Sequence, residues 1–210
     1  MSAEDKLLLV IDGHNLYIRN FVANPTLDVN GERAGGIVGT LQSLGKLISE
    51  LKPDQCVVVW DGEGGSAKRR SIMSEYKAGR RVRLNGEDFG GDAKRHLENM
   101  RRQRQVVSDC LTTLGIPQVR CADVEADDLI AYIVGSLHTE RSIVVSTDKD
   151  FLQLIDGERI RVHSPIKKKT YGSDSFRAEF GVMPENYAIM KSLVGDGSDN
   201  IKGIQGFGVK

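Results

Sequence analysis

The sequence lacks the patterns that mark several common classes of protein. It has only three cysteines, Cys56, Cys110 and Cys121, and no CxxC pair. Its four histidines are scattered, without the HExxH spacing of a zinc enzyme. No apolar run approaches the ~18 residues that a membrane-spanning helix needs. These absences argue against a disulfide-stapled domain, a zinc protein and a membrane-spanning protein, and we expect the cysteines to be reduced and buried in the core.

The chain also lacks a net charge, because 29 basic residues balance 29 acidic ones. Net charge therefore gives no argument for a nucleic-acid partner, but the charge distribution does. Residues 68–104 contain twelve basic and five acidic residues, so the rest of the chain carries an excess of acids. This asymmetry suggests acids that hold metal ions beside a basic arm that holds phosphates. A solvated helix with i, i+4 ion pairs is the simpler alternative for this segment.

Short apolar runs alternate with amphipathic patterns along the chain. The β-branched runs at 6–11, 56–60 and 142–147 predict buried strands. Apolar residues spaced by three or four predict helices at 37–51, 97–114 and 129–137, and another helix is expected after Pro184. Strands that alternate with helices favour an α/β fold with a parallel sheet. The length suits a single main domain.

An aspartate follows each of the three predicted strands: Asp12, Asp61 and Asp148. Ligands of parallel sheets bind beyond the carboxyl ends of the strands, so we expect these acids at one edge. More acids stand at a helix start or in loops: Glu125, Asp127, Asp128, Asp150, Asp196 and Asp199. Such a cluster needs protonation or bound cations, and oxygen ligands favour Mg²⁺ or Mn²⁺. Two such ions can activate water and neutralise the leaving oxygen of a phosphodiester.

Each acidic group also has a simpler explanation. A single aspartate after a strand is commonly a turn residue or a helix cap. The acids at 125–128 would suit any helix N-terminus, and those at 196 and 199 would suit an Asx turn or a calcium site. The coincidence of all the groups at predicted loop positions favours the metal cluster.

Two glycine-rich segments interrupt the regular pattern. Residues 77–92 are polar and aperiodic, which predicts a long mobile loop. In the tail, Gly206 and Gly208 would bring backbone N–H groups close together, where the chain could approach a phosphate.

Five motifs together resemble the bacterial and phage 5′→3′ exonuclease or flap endonuclease family, which also occurs as the 5′-nuclease domain of DNA polymerase I. The motifs are IDGHNLYIR at 11–19, VVWDG at 58–62 with RRSIMSEYKAGR at 69–80, VEADDLIA at 124–131, STDKDFLQL at 146–154, and GDGSDNIKGIQGFGVK at 195–210. They run in order along almost the whole chain.

The resemblance implies a PIN-like α/β nuclease domain at 1–183, with a helical arch at about 68–104. It implies a duplex-binding helical motif that begins at 184 and is cut short at Lys210. The implied activity is structure-specific 5′→3′ exonuclease or flap endonuclease action on DNA in replication or repair. The implied location is the cytoplasm of a bacterium, or of its host if the chain is phage-encoded.

The resemblance also assigns roles to residues. A first metal site would use Asp12, Asp61, Glu125, Asp127 and Asp128, and a second would use Asp148, Asp150, Asp196 and Asp199. The catalytic residues would be Lys77 and Arg80 together with Asp61, Asp128 and Asp148. DNA would be bound by Arg69, Arg70, Lys77, Arg80, Arg81, Gly206, Gly208 and Lys210, with a K⁺ ion at the Gly206–Gly208 loop.

The implied partners are DNA with a 5′ flap or 5′ end at a single-strand/duplex junction and a DNA polymerase, and a monomer is expected. Two alternatives stay open: a non-catalytic DNA-junction binding module, and an RNA-directed nuclease of the same fold. A calcium-binding module is less favoured, because no EF-hand spacing is present.

Overall fold

The computed structural model describes residues 6–65, 71, 93–137, 140–196, 201–206 and 208. Six strands form one sheet: β1 (Leu7–Asp12), β2 (Gln55–Val59), β3 (Gln118–Val119), β4 (Arg141–Val145), β5 (Ile160–Ser164) and β6 (Lys169–Tyr171). Their order across the sheet is β3-β2-β1-β4-β5-β6. All neighbours are parallel except β5 and β6. The three predicted strands are therefore confirmed, and they lie side by side at the centre.

Helices cover both faces of this sheet. The α-helices are α1 (Gly13–Ala23), α2 (Gly35–Leu51), α3 (Ala93–Thr113), α4 (Ala126–Tyr132), α5 (Ser173–Phe180) and α6 (Tyr187–Val194). A π-helical turn, Ile133–Leu137, continues α4, and within the described residues 3₁₀ turns occupy Lys149–Leu154 and Pro184–Asn186. The helices predicted from periodicity are confirmed as α2, α3, α4 with its π turn, and α6.

The core lies on both sides of β1, which explains why this strand is apolar at every position before Asp12. Leu8 and Val10 belong to a buried cluster with residues of α4, α5 and the 3₁₀ turn after β4. Leu9 and Ile11 point to the other face and pack against α1, α2 and α3. Side chains alternate between faces along a strand, so a strand covered on both sides needs a continuous apolar run. This packing fixes where β1 ends, and hence where Asp12 lies.

Glycines at the start of α2 let it approach α1 closely. A Cβ atom at Gly39 would lie 2.6 Å from the side chain of Asn20, and one at Gly36 would lie 2.8 Å from the Tyr17 ring. Both distances are shorter than a carbon atom tolerates, so these glycines are required by packing. The segment GGIVGT is thus part of a helix interface.

The structure corrects two expectations. Cys121 is exposed and Cys56 and Cys110 are only partly buried, so the prediction of three core cysteines is wrong. Asp196, expected in a loop, lies in a short antiparallel hairpin of β7 (Gly195–Asp196) and β8 (Ile201–Lys202). The predicted mobile loop at 77–92 lies outside the described residues. None of the described helices is both long and apolar enough to cross a membrane.

Candidate active site

Asp12 is the buried centre of the candidate site. It ends β1 and caps α1, because its Oδ1 accepts a hydrogen bond from the Asn15 backbone N–H at 3.0 Å. Its Oδ2 accepts a hydrogen bond from the Ser146 hydroxyl at 2.9 Å. Burial, together with the negative charges of Asp61 and Asp148, raises the pKa of Asp12 to about 6, although the two hydrogen bonds lower it. Asp61 and Asp148 therefore both lie close enough to Asp12 to repel its charge.

The loop after β4 is attached to the start of α1. The Asn15 side-chain oxygen accepts hydrogen bonds from the Thr147 backbone N–H at 3.1 Å and from its hydroxyl at 3.0 Å. Ser146 Oγ also accepts from the Asp148 N–H at 3.1 Å. These contacts fix Asp148 beside the end of β1, since β1 and β4 are neighbouring parallel strands.

Asp61 joins the end of β2 to the start of α4. Its Oδ1 accepts a hydrogen bond of 2.8 Å from the Ala126 N–H, and its Oδ2 lies 3.7 Å from His14 Nδ1. Glu125, which is buried, occupies the N-cap position of α4. Asp127 and Asp128 form the first turn, and Asp127 Oδ1 accepts from the Asp128 N–H at 2.8 Å. The helix dipole favours this collection of negative charge.

Two of the remaining predicted site acids, Asp150 and Asp196, contact one lysine. Asp148 caps the following 3₁₀ turn and accepts a hydrogen bond from the Asp150 N–H at 2.9 Å. The carboxylates of Asp150 and Asp196 both contact the ammonium of Lys191, which α6 supplies. Burial disfavours the ammonium, but its hydrogen bonds to Asp150 and Asp196 outweigh that effect and raise the pKa of Lys191 above its usual value.

These contacts connect the acids in small sets. Within residues 6–65, 93–137 and 140–196 and the described part of the tail, no three acidic, histidine or cysteine side chains come close enough together to hold one metal ion. Gly206 has a positive φ of 92°, which suits the turn expected there. The other predicted site residues lie outside the described residues: Arg69, Arg70, Lys77, Arg80, Arg81, Asp199 and Lys210.

A polar cavity of about 380 Å³ adjoins Asp61. Trp60, Gln118 and Ser108 form part of its wall, and the Trp60 indole N–H donates to the Gln118 side chain at 2.9 Å. Arg104 of α3 and Arg120 after β3 also line it. A cavity with two guanidinium groups beside an acidic edge can accept a phosphate.

Glu32 anchors the first half of α3 to the connection between α1 and α2. The Glu32 carboxylate accepts hydrogen bonds from Arg95 at 2.8 Å, from Arg102 at 3.2 Å and from Asn99 at 3.3 Å. The bond from Arg95 is the main reason why the pKa of Glu32 lies below its usual value. Part of the basic segment is therefore held in place by a single acid.

Sequence reasoning missed several residues of this site. Ser146, Asn15 and Arg120 are common polar residues whose roles depend on distant contacts. The sequence gives a weak indication of Lys191, because it is the only charged residue in the helix YAIMKSLV and stands five positions before Asp196.

Comparison with known proteins supports this picture. The family model described as 5′-3′ exonuclease, N-terminal resolvase-like domain, matches residues 7–181. The chain is 31% identical to a 5′-3′ exonuclease of Aquifex aeolicus, over 98% of this chain and 67% of that protein. It is 32% identical to a DNA polymerase I of Caldicellulosiruptor bescii, over 97% of this chain but only 23% of that protein. The structure of phage T5 5′-exonuclease with bound zinc ions has a TM-score of 0.73 and 26% identity, covering 98% of this chain and 72% of that one.

Proposed function

Because this chain belongs to the 5′-3′ exonuclease family, we propose that it hydrolyses DNA phosphodiester bonds at a 5′ end or 5′ flap, near a junction of single strand and duplex. The observation that carries this proposal is the meeting of Asp12, Asp61 and Asp148 at the carboxyl ends of three adjacent strands. That edge is where parallel sheets bind ligands. Carboxylates at one edge of the sheet can bind divalent ions once their side chains close on the ion, and those ions can in turn bind a phosphate substrate.

The donor chemistry fits Mg²⁺ or Mn²⁺. Every proposed ligand is a carboxylate oxygen, and hard divalent ions prefer oxygen. Burial is the main cause of the raised pKa of Asp12, and the charges of Asp61 and Asp148 add to it. The Lys191 ammonium marks a cation position between Asp150 and Asp196. One ion would be held by Asp12, Asp61, Glu125, Asp127 and Asp128, and another by Asp148, Asp150, Asp196 and Asp199. Bound ions supply charge neutralisation at the phosphate and a lower pKa for attacking water.

The protein's own residues hold these acids in position before substrate binds. Ser146 fixes one oxygen of Asp12, and the N–H of Ala126 fixes one oxygen of Asp61. The other oxygen of Asp12 accepts from the Asn15 N–H, and the other oxygen of Asp61 lies 3.7 Å from His14 Nδ1. Groups that are already oriented need no reorganisation during the reaction, which is a large part of enzymatic rate enhancement.

The basic residues would bind and orient the DNA. Lys77 and Arg80 would offset negative charge on the scissile phosphate, and Arg69, Arg70, Arg81 and Lys210 would contact phosphates elsewhere. The backbone at Gly206 and Gly208 would grip duplex phosphates, with K⁺ as the accompanying ion. We also propose action as a monomer alongside a DNA polymerase, since one group of relatives carries a similar region within DNA polymerase I.

The direct test is cleavage of a labelled 5′-flap DNA in Mg²⁺, beside the same substrate with a ribonucleotide flap strand. We expect the DNA to be cut near the junction, and cutting to stop when EDTA removes the ions. Cleavage of the RNA version alone would favour an RNA-directed nuclease. Tight binding to the junction without cleavage in Mg²⁺ or Mn²⁺ would favour a non-catalytic binding module.

A further inference from the structure

Lys191 occupies the space between two acids of the second proposed metal site. Its Nζ contacts Asp150 Oδ1 and Asp196 Oδ2 at the same time. The three side chains differ in exposure: 24% for Lys191, 40% for Asp150 and 14% for Asp196. This is a partly buried arrangement in which one ammonium bridges two carboxylates and offsets part of their charge; the carboxylates belong to different elements, the 3₁₀ turn and the β7–β8 hairpin.

The surroundings keep the ammonium at this position. Lys191 lies in the last turn of α6, and the Tyr187 ring one turn earlier lies 5.9 Å from its Nζ. Tyr187 itself is buried in the core, which fixes α6 against the sheet. The Asp196 carboxylate is held by the pairing of Asp196 with Ile201 in the hairpin. The ammonium is therefore directed to the acids by the fold, while its flexible stem still allows it to withdraw.

A divalent ion and this ammonium need the same oxygens. Mg²⁺ binds carboxylate oxygens at about 2.0–2.1 Å, closer than any hydrogen-bonded nitrogen. An ion on Asp150 and Asp196 would therefore lie within about 4 Å of an ammonium that still contacted both, a separation at which the two positive charges repel strongly. Both cations cannot occupy the pair together.

We propose that Lys191 is a built-in competitor for this metal position, so that a divalent ion enters the Asp150–Asp196 pair only by displacing the Lys191 ammonium. Without the ion, Lys191 offsets part of the charge of the two acids and keeps the hairpin attached to the 3₁₀ turn. With the ion, Lys191 leaves and the acids become ligands. The inference rests on the proposed function, because that proposal supplies the ion. It adds that the affinity of this position is set by Lys191 as well as by the acids.

The test measures Mn²⁺ binding to the full chain by isothermal calorimetry and by the electron paramagnetic resonance signal of free Mn²⁺. Lys191→Met removes the competitor but keeps most of the side chain's volume. If Lys191 contacts both acids in about nine-tenths of the wild-type molecules, the Mn²⁺ dissociation constant at this position should fall roughly tenfold in Lys191→Met. Asp196→Asn, introduced into wild type or into Lys191→Met, should abolish binding of the Mn²⁺ ion whose affinity Lys191→Met changed.

Lys169→Met is the matched control. It removes an ammonium from the Glu179 carboxylate at 2.8 Å, with the same change in net charge, on β6. We expect it to leave Mn²⁺ affinity unchanged. Lys191→Arg keeps the charge and should keep the weak affinity, and Lys191→Gln provides a second neutral variant should Lys191→Met fail to fold.

Three results would overturn the inference. Equal Mn²⁺ affinity in wild type and in the neutral Lys191 variants would refute competition and leave the metal site intact. An equal gain in Lys169→Met would assign the effect to net charge. No Mn²⁺ binding to any of these chains would refute the metal site in the proposed function, and the competition with it.

Discussion

Ser146 donates a hydrogen bond of 2.9 Å to the buried carboxylate of Asp12, across 134 residues of the chain. It also accepts one from the Asp148 N–H at 3.1 Å, so one hydroxyl connects two acids at the ends of neighbouring strands. The serine hydroxyl donates to the carboxylate and accepts from the backbone amide, whereas alanine can make neither hydrogen bond. The acidic edge is therefore held together by a neutral residue as well as by the fold.

Ser146→Ala should lower the free energy of unfolding by about 1–2 kcal/mol, because it leaves a buried carboxylate oxygen without its donor. It should also raise the pKa of Asp12 further, since the serine hydrogen bond lowers it. Urea unfolding measures the first effect. Ser142→Ala, on β4 just before Ser146, is the control, because the buried Ser142 hydroxyl makes no hydrogen bond within the described part of the chain. Equal losses in the two variants would contradict the role given to Ser146.

Without divalent ions, the free energy of unfolding should fall as the pH rises through the pKa of Asp12. Its pKa is about 6 in the folded chain and near 3.8 when unfolded, so the folded state binds the extra proton between these values. A raised acid pKa therefore removes stability progressively from about pH 4 to pH 6, by up to about 3 kcal/mol for a shift of two units. Asp12→Asn should remove this pH dependence and be the more stable form at pH 7 in EDTA. A variant less stable than wild type at pH 7 would refute the account of Asp12.

The sequence predicted the centre of this site because the relevant signals are local. A β-branched run followed by aspartate identifies both a strand and the edge at which its last residue lies, as with β1 and Asp12 or β4 and Asp148. The acids of α4 likewise follow from a helix start. The short helix α1 and the three-residue strand β6 carry too little periodicity to be predicted, and their positions depend on contacts with the sheet.

Contacts between distant elements could not be predicted in this way. Lys191 meets Asp150 and Asp196 only because Tyr187 docks α6 against the core, and no spacing in the sequence encodes that docking. The exposure of Cys121 has a similar cause. Cys121 stands in a turn beside Gly62, and a Cβ on Gly62 would lie 1.7 Å from the Cys121 carbonyl oxygen. The backbone of Cys121 therefore packs against Gly62, while its thiol is exposed.

Glu32→Ala should loosen the first half of α3 without unfolding the protein. Glu32 binds Arg95, Asn99 and Arg102, so its loss releases three side chains on one stretch of helix. Hydrogen–deuterium exchange should become several-fold faster at about residues 95–103 and stay unchanged in β1 and β4. Glu50→Ala, which breaks the exposed Lys46–Glu50 pair on α2, is the control. Unchanged exchange in α3 would show that Glu32 does not anchor it.

Lys77→Ala should reduce cleavage far more than binding. A group that stabilises charge on the scissile phosphate typically contributes about 10²–10³ in rate. A group that only contacts phosphate weakens binding and lowers the salt dependence by about one counterion. We expect the first behaviour for Lys77 and the second for Lys94, from the same basic segment. Single-turnover cleavage at saturating enzyme, with a binding titration in Ca²⁺, separates the two. Normal single-turnover cleavage by Lys77→Ala would make it a DNA contact only.

The most direct test of the acidic edge is single-turnover cleavage of a 5′-flap DNA by Asp148→Asn in saturating Mg²⁺, with the affinity for the same DNA measured in Ca²⁺. Asparagine keeps the size of the side chain and an oxygen for the Asp150 N–H, but it removes the negative charge. We predict that the variant folds and binds the flap, and that its cleavage rate falls by at least about 10²-fold. Cleavage at the wild-type rate by the folded, DNA-bound variant would contradict a metal-dependent nuclease site at this edge.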